Sequence, residues 1–171
     1  LTFKLAQTEP FRKLQGQIVN NCTAFIDRFV ERGFNIPFGG GNTHLINLDM
    51  KSITAPDGTA LSGDQAARIL DLAGIVVNRN TIPGDRSARN PSGIRLGTPW
   101  ITQRGFQEAE IERLAEIVAR VLQATEPYAY AGRYGPVYRA KVDFDVLEEA
   151  KRDVVDLACG AGLGADYCPS G

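Results

Sequence analysis

Apolar residues recur at spacings of three and four near the start of the chain, at Phe11, Leu14, Ile18, Cys22, Phe25, Ile26 and Phe29. That period predicts a long amphipathic helix, with Pro10 in its first turn and Gly33 just past its C-cap. The pattern then changes. Ile46, Leu48 and Met50 alternate with polar residues and predict a strand over 42–50. Ser62 and Gln65 form a capping-box pair ahead of Ala66, Ile69, Leu70 and Ala73, the inner face of a second helix ended by Gly74. Two short runs rich in β-branched residues, Ile75–Val77 and Ile94–Leu96, are bounded by Gly, Pro and Asn and predict strands carrying a long loop between them. The clearest helical period runs from Gln107 to Leu122, with Ile111, Leu114, Ile117, Val118, Val121 and Leu122 on one face. The intervening Glu and Arg residues read as a solvated face. A last helix is predicted over Val146–Ala158. Residues 124–140, with Tyr128, Tyr130, Tyr134 and Tyr138 among glycines and prolines, read as a loop wrapping the domain, and 160–171 as a loose glycine-rich tail.

These elements describe an α/β domain: a two-layer sandwich with a small, mostly antiparallel sheet and helices on one face. A doubly wound nucleotide fold is disfavoured, because the strands are few and no G-x-G-x-x-G opens a helix. Gly39-Gly40-Gly41 precedes a strand rather than a helix, which weakens a phosphate-loop reading. His44, the only histidine, reads as structural rather than catalytic. Arg95 stands between Ile94 and Leu96, so a strand burying its neighbours presents Arg95 on the opposite face. A guanidinium held there suits a carboxylate or phosphate. A long loop beside it suits binding.

Composition narrows the classes. The 171 residues are 43% hydrophobic and 23% charged with net charge −1. Near neutrality argues against nucleic-acid and membrane-surface partners, including base stacking on the tyrosines. No apolar run is long enough to span a bilayer, and no signal-peptide pattern opens the chain. Cys22, Cys159 and Cys168 lack metal spacing, which predicts free thiols and a cytoplasmic compartment. Leu1 is not an initiator Met, so the chain is expected to be cut from something longer.

One stretch carries a family resemblance. Val77-Asn78-Arg79-Asn80-Thr81-Ile82-Pro83, then Ser92-Gly93-Ile94-Arg95-Leu96-Gly97-Thr98-Pro99 and Thr102-Gln103-Arg104-Gly105-Phe106, resembles the C-terminal small domain of serine hydroxymethyltransferase, an enzyme of the aspartate-aminotransferase-like fold type I. Weaker similarity extends from about Glu9 to Leu157. The resemblance implies an interdomain helix and lead-in over 1–33, a small domain over 34–159 and a tail over 160–171. It also implies interconversion of serine and glycine with tetrahydrofolate as co-substrate, and pyridoxal phosphate as cofactor. Arg95 matches the clamp on the amino acid's carboxylate and Asn80 the asparagine that contacts folate. Ser92, Gly93, Gly97, Thr98 and Pro99 are supporting positions. The parent is expected to be a homodimer or higher. Departures are visible too: Asn90 and Pro91 replace a usual Phe-Val-Thr in a shortened loop, and Trp100 replaces a small residue.

The lysines, Lys4, Lys13, Lys51, Lys141 and Lys151, do not lie in the threonine-rich run that holds the family's cofactor. No catalytic residue is therefore expected within this chain, whose cofactor would be held by a large domain; alone it should be inactive. Two other readings stay open: the small domain of another fold-type I enzyme, and a non-catalytic binding module.

Overall fold

The computed structural model describes residues 1–161. A short helix α1 (Thr2–Ala6) leads into α2 (Glu9–Glu31). Pro10 lies in the first turn of α2, and Gly33 follows its C-cap at φ +82°, a left-handed conformation that glycine adopts without steric cost. Next come β1 (Leu45–Asp49), α3 (Gly63–Leu72), β2 (Asn78–Asn80), β3 (Gly93–Gly97), α4 (Pro99–Gln103), α5 (Glu108–Gln123), β4 (Thr125–Gly132), β5 (Gly135–Val142) and α6 (Phe144–Gly160). The capping box of α3 forms as the sequence predicts: the Gln65 amide N–H donates to Ser62 Oγ and the Ser62 amide N–H to Gln65 Oε1.

The main sheet is antiparallel in the order β1-β3-β2, with β3 central. Its inner face carries Ile46, Leu48, Ile94 and Leu96, all buried in one core with Phe25 and Phe29 of α2, Leu70 of α3 and Val118 and Leu122 of α5. The α/β class and the antiparallel sheet agree with the sequence. The apolar stripe of α2 is longer than a small sheet alone could cover. It is nevertheless covered within the chain from Ile18 to Phe29, because α4 and α5 both pack along it. Its start, at Phe11, reaches the surface.

Three expectations need correction. Residues 75–77 are not a strand. The Ile75 amide donates to the Leu70 carbonyl, so Ile75 belongs to the cap of α3, and the strand begins at Asn78. Residues 124–140 are not a loop but most of an antiparallel hairpin, β4–β5, turning through Arg133–Tyr134. Its prolines are tolerated because, among the described residues, neither strand has a further neighbour, so no ladder bond is lost on the open edges. Free thiols hold for Cys22, whose pKa burial pushes up to about 11, but Cys159 is disulfide-bonded. Spacing that excludes a metal site says nothing about pairing. Residues 162–171, covering Cys168 and nearly all of the expected loose tail, lie outside the described residues.

The charged face of α5 is also less passive than its pattern suggests. Glu116 reaches Arg28 at 3.2 Å and Arg32 at 3.5 Å on α2 and just past it, and Arg120 pairs with Asp153 on α6. Part-exposed pairs of this kind contribute about 0–1 kcal/mol each, so they orient the helices more than they hold them.

Candidate functional site: the outer face of the sheet

The side of β3 turned away from the core carries Gly93, Arg95 and Gly97. In the antiparallel register Arg95 is flanked by Asn47 on β1 and Asn78 on β2, while Gly93 lies opposite Asp49 and Asn80. Residues directly opposite in such a ladder point to one side, so the arginine lies in a row with two amides. Arg95 is half-buried, between Ile94 and Leu96, which are buried. Among the described residues its guanidinium makes no hydrogen bond and no ion pair. The nearby acid Asp64 is already engaged, accepting from Arg68 at 2.9 Å and Arg79 at 2.5 Å, and these partners hold its carboxyl below the usual range despite partial burial. Arg95 borders two depressions. One, of about 590 Å³, is polar and includes Asp64, Asn78, Arg79 and Asn80. The other, of about 560 Å³, is more apolar and runs past Val77, Leu96, Trp100 and Phe106.

Asn80 is brought to the same depression as Arg95 by the register of β2. Its amide nitrogen donates to Asn47 Oδ1 at 3.3 Å and to the Thr81 carbonyl at 3.0 Å. Beyond it the chain folds back over β3. Ile82 is buried over Gly93, where an added Cβ would stand 2.5 Å from Ile82 Cγ2. That close approach explains why glycine suits this position. Ser92 does not enter the depression; its hydroxyl donates to Asp85 Oδ1 at 2.5 Å. Sequence reasoning missed Asp85. The same carboxylate accepts from the amides of Ile82 at 3.0 Å and Ser92 at 2.9 Å, and Lys51 Nζ lies 4.0 Å away. The available signal was Pro83-Gly84-Asp85, a turn sequence whose aspartate can bond nearby backbone.

On the far side of Arg95, an added Cβ on Gly97 would meet Leu45 Cδ2 at 2.9 Å. Thr98 is buried: its amide donates to the His44 carbonyl, and its hydroxyl donates to the Ile18 carbonyl at 2.8 Å. Pro99 opens α4. Thr102 donates to the Thr98 carbonyl at 2.7 Å and accepts from Asn21, which also donates to the Phe106 carbonyl. Asn21, fully buried on α2, is a second residue the sequence did not single out. Its place among apolar neighbours, between Ile18, Cys22 and Phe25, was the signal. His44 is exposed and supports Thr98 through its backbone carbonyl.

A lysine able to hold pyridoxal phosphate lines neither depression. Lys51 lies near Asp49 and Asp85, Lys141 near Glu126 and Lys151 near Glu148. The residues present therefore do not fit the cofactor's covalent site.

Fold and outer face together describe the small α/β domain of a fold-type I enzyme. Comparison with known proteins narrows this. The family model for serine hydroxymethyltransferase matches residues 1–118. The serine hydroxymethyltransferase of Natronomonas pharaonis is 45% identical over 121 residues, which is 70% of this chain and 28% of that protein. The cytosolic enzyme of Oryctolagus cuniculus is 40% identical over 125 residues, 73% of this chain and 25% of that one. The mitochondrial enzyme of Schizosaccharomyces pombe is 33% identical over 162 residues, 95% of this chain and 29% of that one. The chain belongs to the serine hydroxymethyltransferase family, and it spans under a third of the length of these relatives.

Proposed function

We propose that this chain is the substrate-orienting small domain of a serine hydroxymethyltransferase that interconverts serine and glycine with tetrahydrofolate. Arg95 binds the amino acid's carboxylate, and Asn80 contacts the folate ring. The observation that carries this reading is the half-buried guanidinium of Arg95, which has no internal counter-charge among the described residues and borders the depression that Asn80 also lines. A planar fork in a partly dry site pairs best with a planar anion, and two parallel bonds fix the anion's rotation as well as its position. Orientation of that kind is how a residue that makes no bonds in the reaction raises its rate. The amide of Asn80 carries a donor and an acceptor, which suits the mixed edge of a pterin.

The same reading assigns pyridoxal phosphate to the rest of the enzyme. The chain alone is inactive on this view, and the lack of a lysine among the residues lining the Arg95 depressions supports that. We assign the parent to the cytoplasm, as with the cytosolic rabbit relative, although the fission-yeast relative is named mitochondrial. Among the described residues no helix is long and apolar enough to cross a membrane.

The test is Arg95→Lys in the full-length enzyme. A charge-assisted bond contributes about 1.5–3 kcal/mol, and about 1.4 kcal/mol is a decade of affinity, so serine and glycine binding should weaken at least tenfold. The value of kcat should fall too, since one ammonium does not fix rotation. Asn80→Ala should instead raise the folate KM and spare folate-independent cleavage of 3-hydroxy amino acids. Unchanged glycine affinity in Arg95→Lys would leave Arg95 a structural residue.

A further inference from the structure

The segment between β2 and β3, residues 81–92, makes few backbone bonds to the rest of the fold, yet both of its ends are held by one side chain. Asp85 Oδ2 accepts the amide protons of Ile82 and Ser92, and Oδ1 accepts the Ser92 hydroxyl. The carboxylate's side chain is only 5% exposed, and Lys51 Nζ stands 4.0 Å from it. The chain leaves β2 at Asn80 and enters β3 at Gly93, so the two amides that Asp85 ties lie just past one strand and just before the other. With this tie made, Ile82 seals Gly93 and β2 stays paired to β3.

We propose that Asp85 is a positioning residue for the folate side of the site, closing the loop so that Asn80 keeps its place beside Arg95. The proposal rests on the functional reading above for the word folate, but its geometry does not. Arg95 and Asn80 depend on the tie unequally. Arg95 sits in the central strand and is held by β1 as well as β2. Asn80 sits in a three-residue edge strand that pairs with β3 alone. Loosening the loop should therefore displace Asn80 and leave Arg95 in place.

Asp85→Ala removes every acceptor of the tie, whereas in Asp85→Asn one carbonyl oxygen could still take both amide protons while the NH2 donates to the Ser92 hydroxyl; the alanine variant is therefore the test. Hydrogen exchange of the chain itself comes first. The Ile82 and Ser92 amides should exchange about tenfold to a hundredfold faster, the range that follows from losing a charge-assisted bond, with β1–β3 amides unchanged. In the full-length enzyme the same substitution should raise the tetrahydrofolate KM about tenfold with little change in glycine affinity. Ser92→Ala, which removes only the hydroxyl bond, should show a smaller shift of the same kind. Unchanged exchange at Ile82 and Ser92 would overturn the tie. Equal loss of glycine and folate binding would overturn the unequal dependence, making Asp85 a support of the whole sheet. Faster exchange with both affinities unchanged would overturn the positioning role, whether or not Arg95→Lys has upheld the carboxylate site.

Discussion

At Asp85 burial alone would raise the carboxyl's pKa, but the Ser92 hydroxyl, the Ser92 and Ile82 amides and the nearby Lys51 outweigh it and hold the group below the usual carboxylate range. Asp64 and Asp57 are also held low, by Arg68 and Arg79 in the first case and by Thr59 in the second. A group whose pKa is lower in the folded chain than in the unfolded one stabilises the fold above the unfolded value, about 3.9, and that contribution disappears as pH falls through the folded value. Thermal stability should therefore drop on acidification from about pH 5 downward. The gap in Tm between the wild-type chain and Asp85→Asn should be widest near neutrality and shrink in acid. A gap that grew as pH fell would mean that Asp85 is carried protonated. At this scale the sequence is half legible. Arg95 can be assigned to a face because strand alternation needs only its neighbours, whereas Asp85 and Asn21 owe their importance to partners that no local pattern names.

Among the elements, the helices are legible in the sequence and the hairpin is not. Helical periods in α2, α3 and α5 are long enough to outvote single exceptions. In β4 and β5 the alternation Tyr128, Ala129, Tyr130, Ala131 is present, but Gly132, Gly135, Pro127 and Pro136 mask it with the signals of a loop. Those residues instead make the tight turn and occupy the open edges. Gly132 is the most constrained: an added Cβ would lie 2.5 Å from Val137 Cγ2 and 2.9 Å from the Gly135 carbonyl oxygen. Gly132→Val should open the hairpin's tip while leaving the core helices intact, because Ala131 and Tyr134 at that tip are exposed rather than part of the core. Hydrogen exchange should speed up between 128 and 139 with helical circular dichroism nearly unchanged. Loss of the whole fold would show that the hairpin tip supports the core.

For the molecule as a whole, family membership is legible because the motif around Arg95 is dense and local, while the extent of the chain relative to its family needs comparison. Its self-contained core predicts that it folds alone, and the placement of its lysines predicts that it does not hold pyridoxal phosphate covalently. Mixing the chain with the cofactor, reducing with borohydride and measuring mass should give no stoichiometric adduct at a single lysine. One such adduct at near-unit yield would locate a cofactor site within this chain after all.

The hydroxyl of Thr98 donates to a carbonyl in the middle of α2 three residues after Arg95 in sequence. That bond makes the long helix a lever with its fulcrum next to the arginine. A tilt of α2 relative to β3 must either break this bond or carry along the turn that leads from Arg95 into α4. A displacement of the middle of α2 is therefore felt first at the turn that follows the arginine's strand.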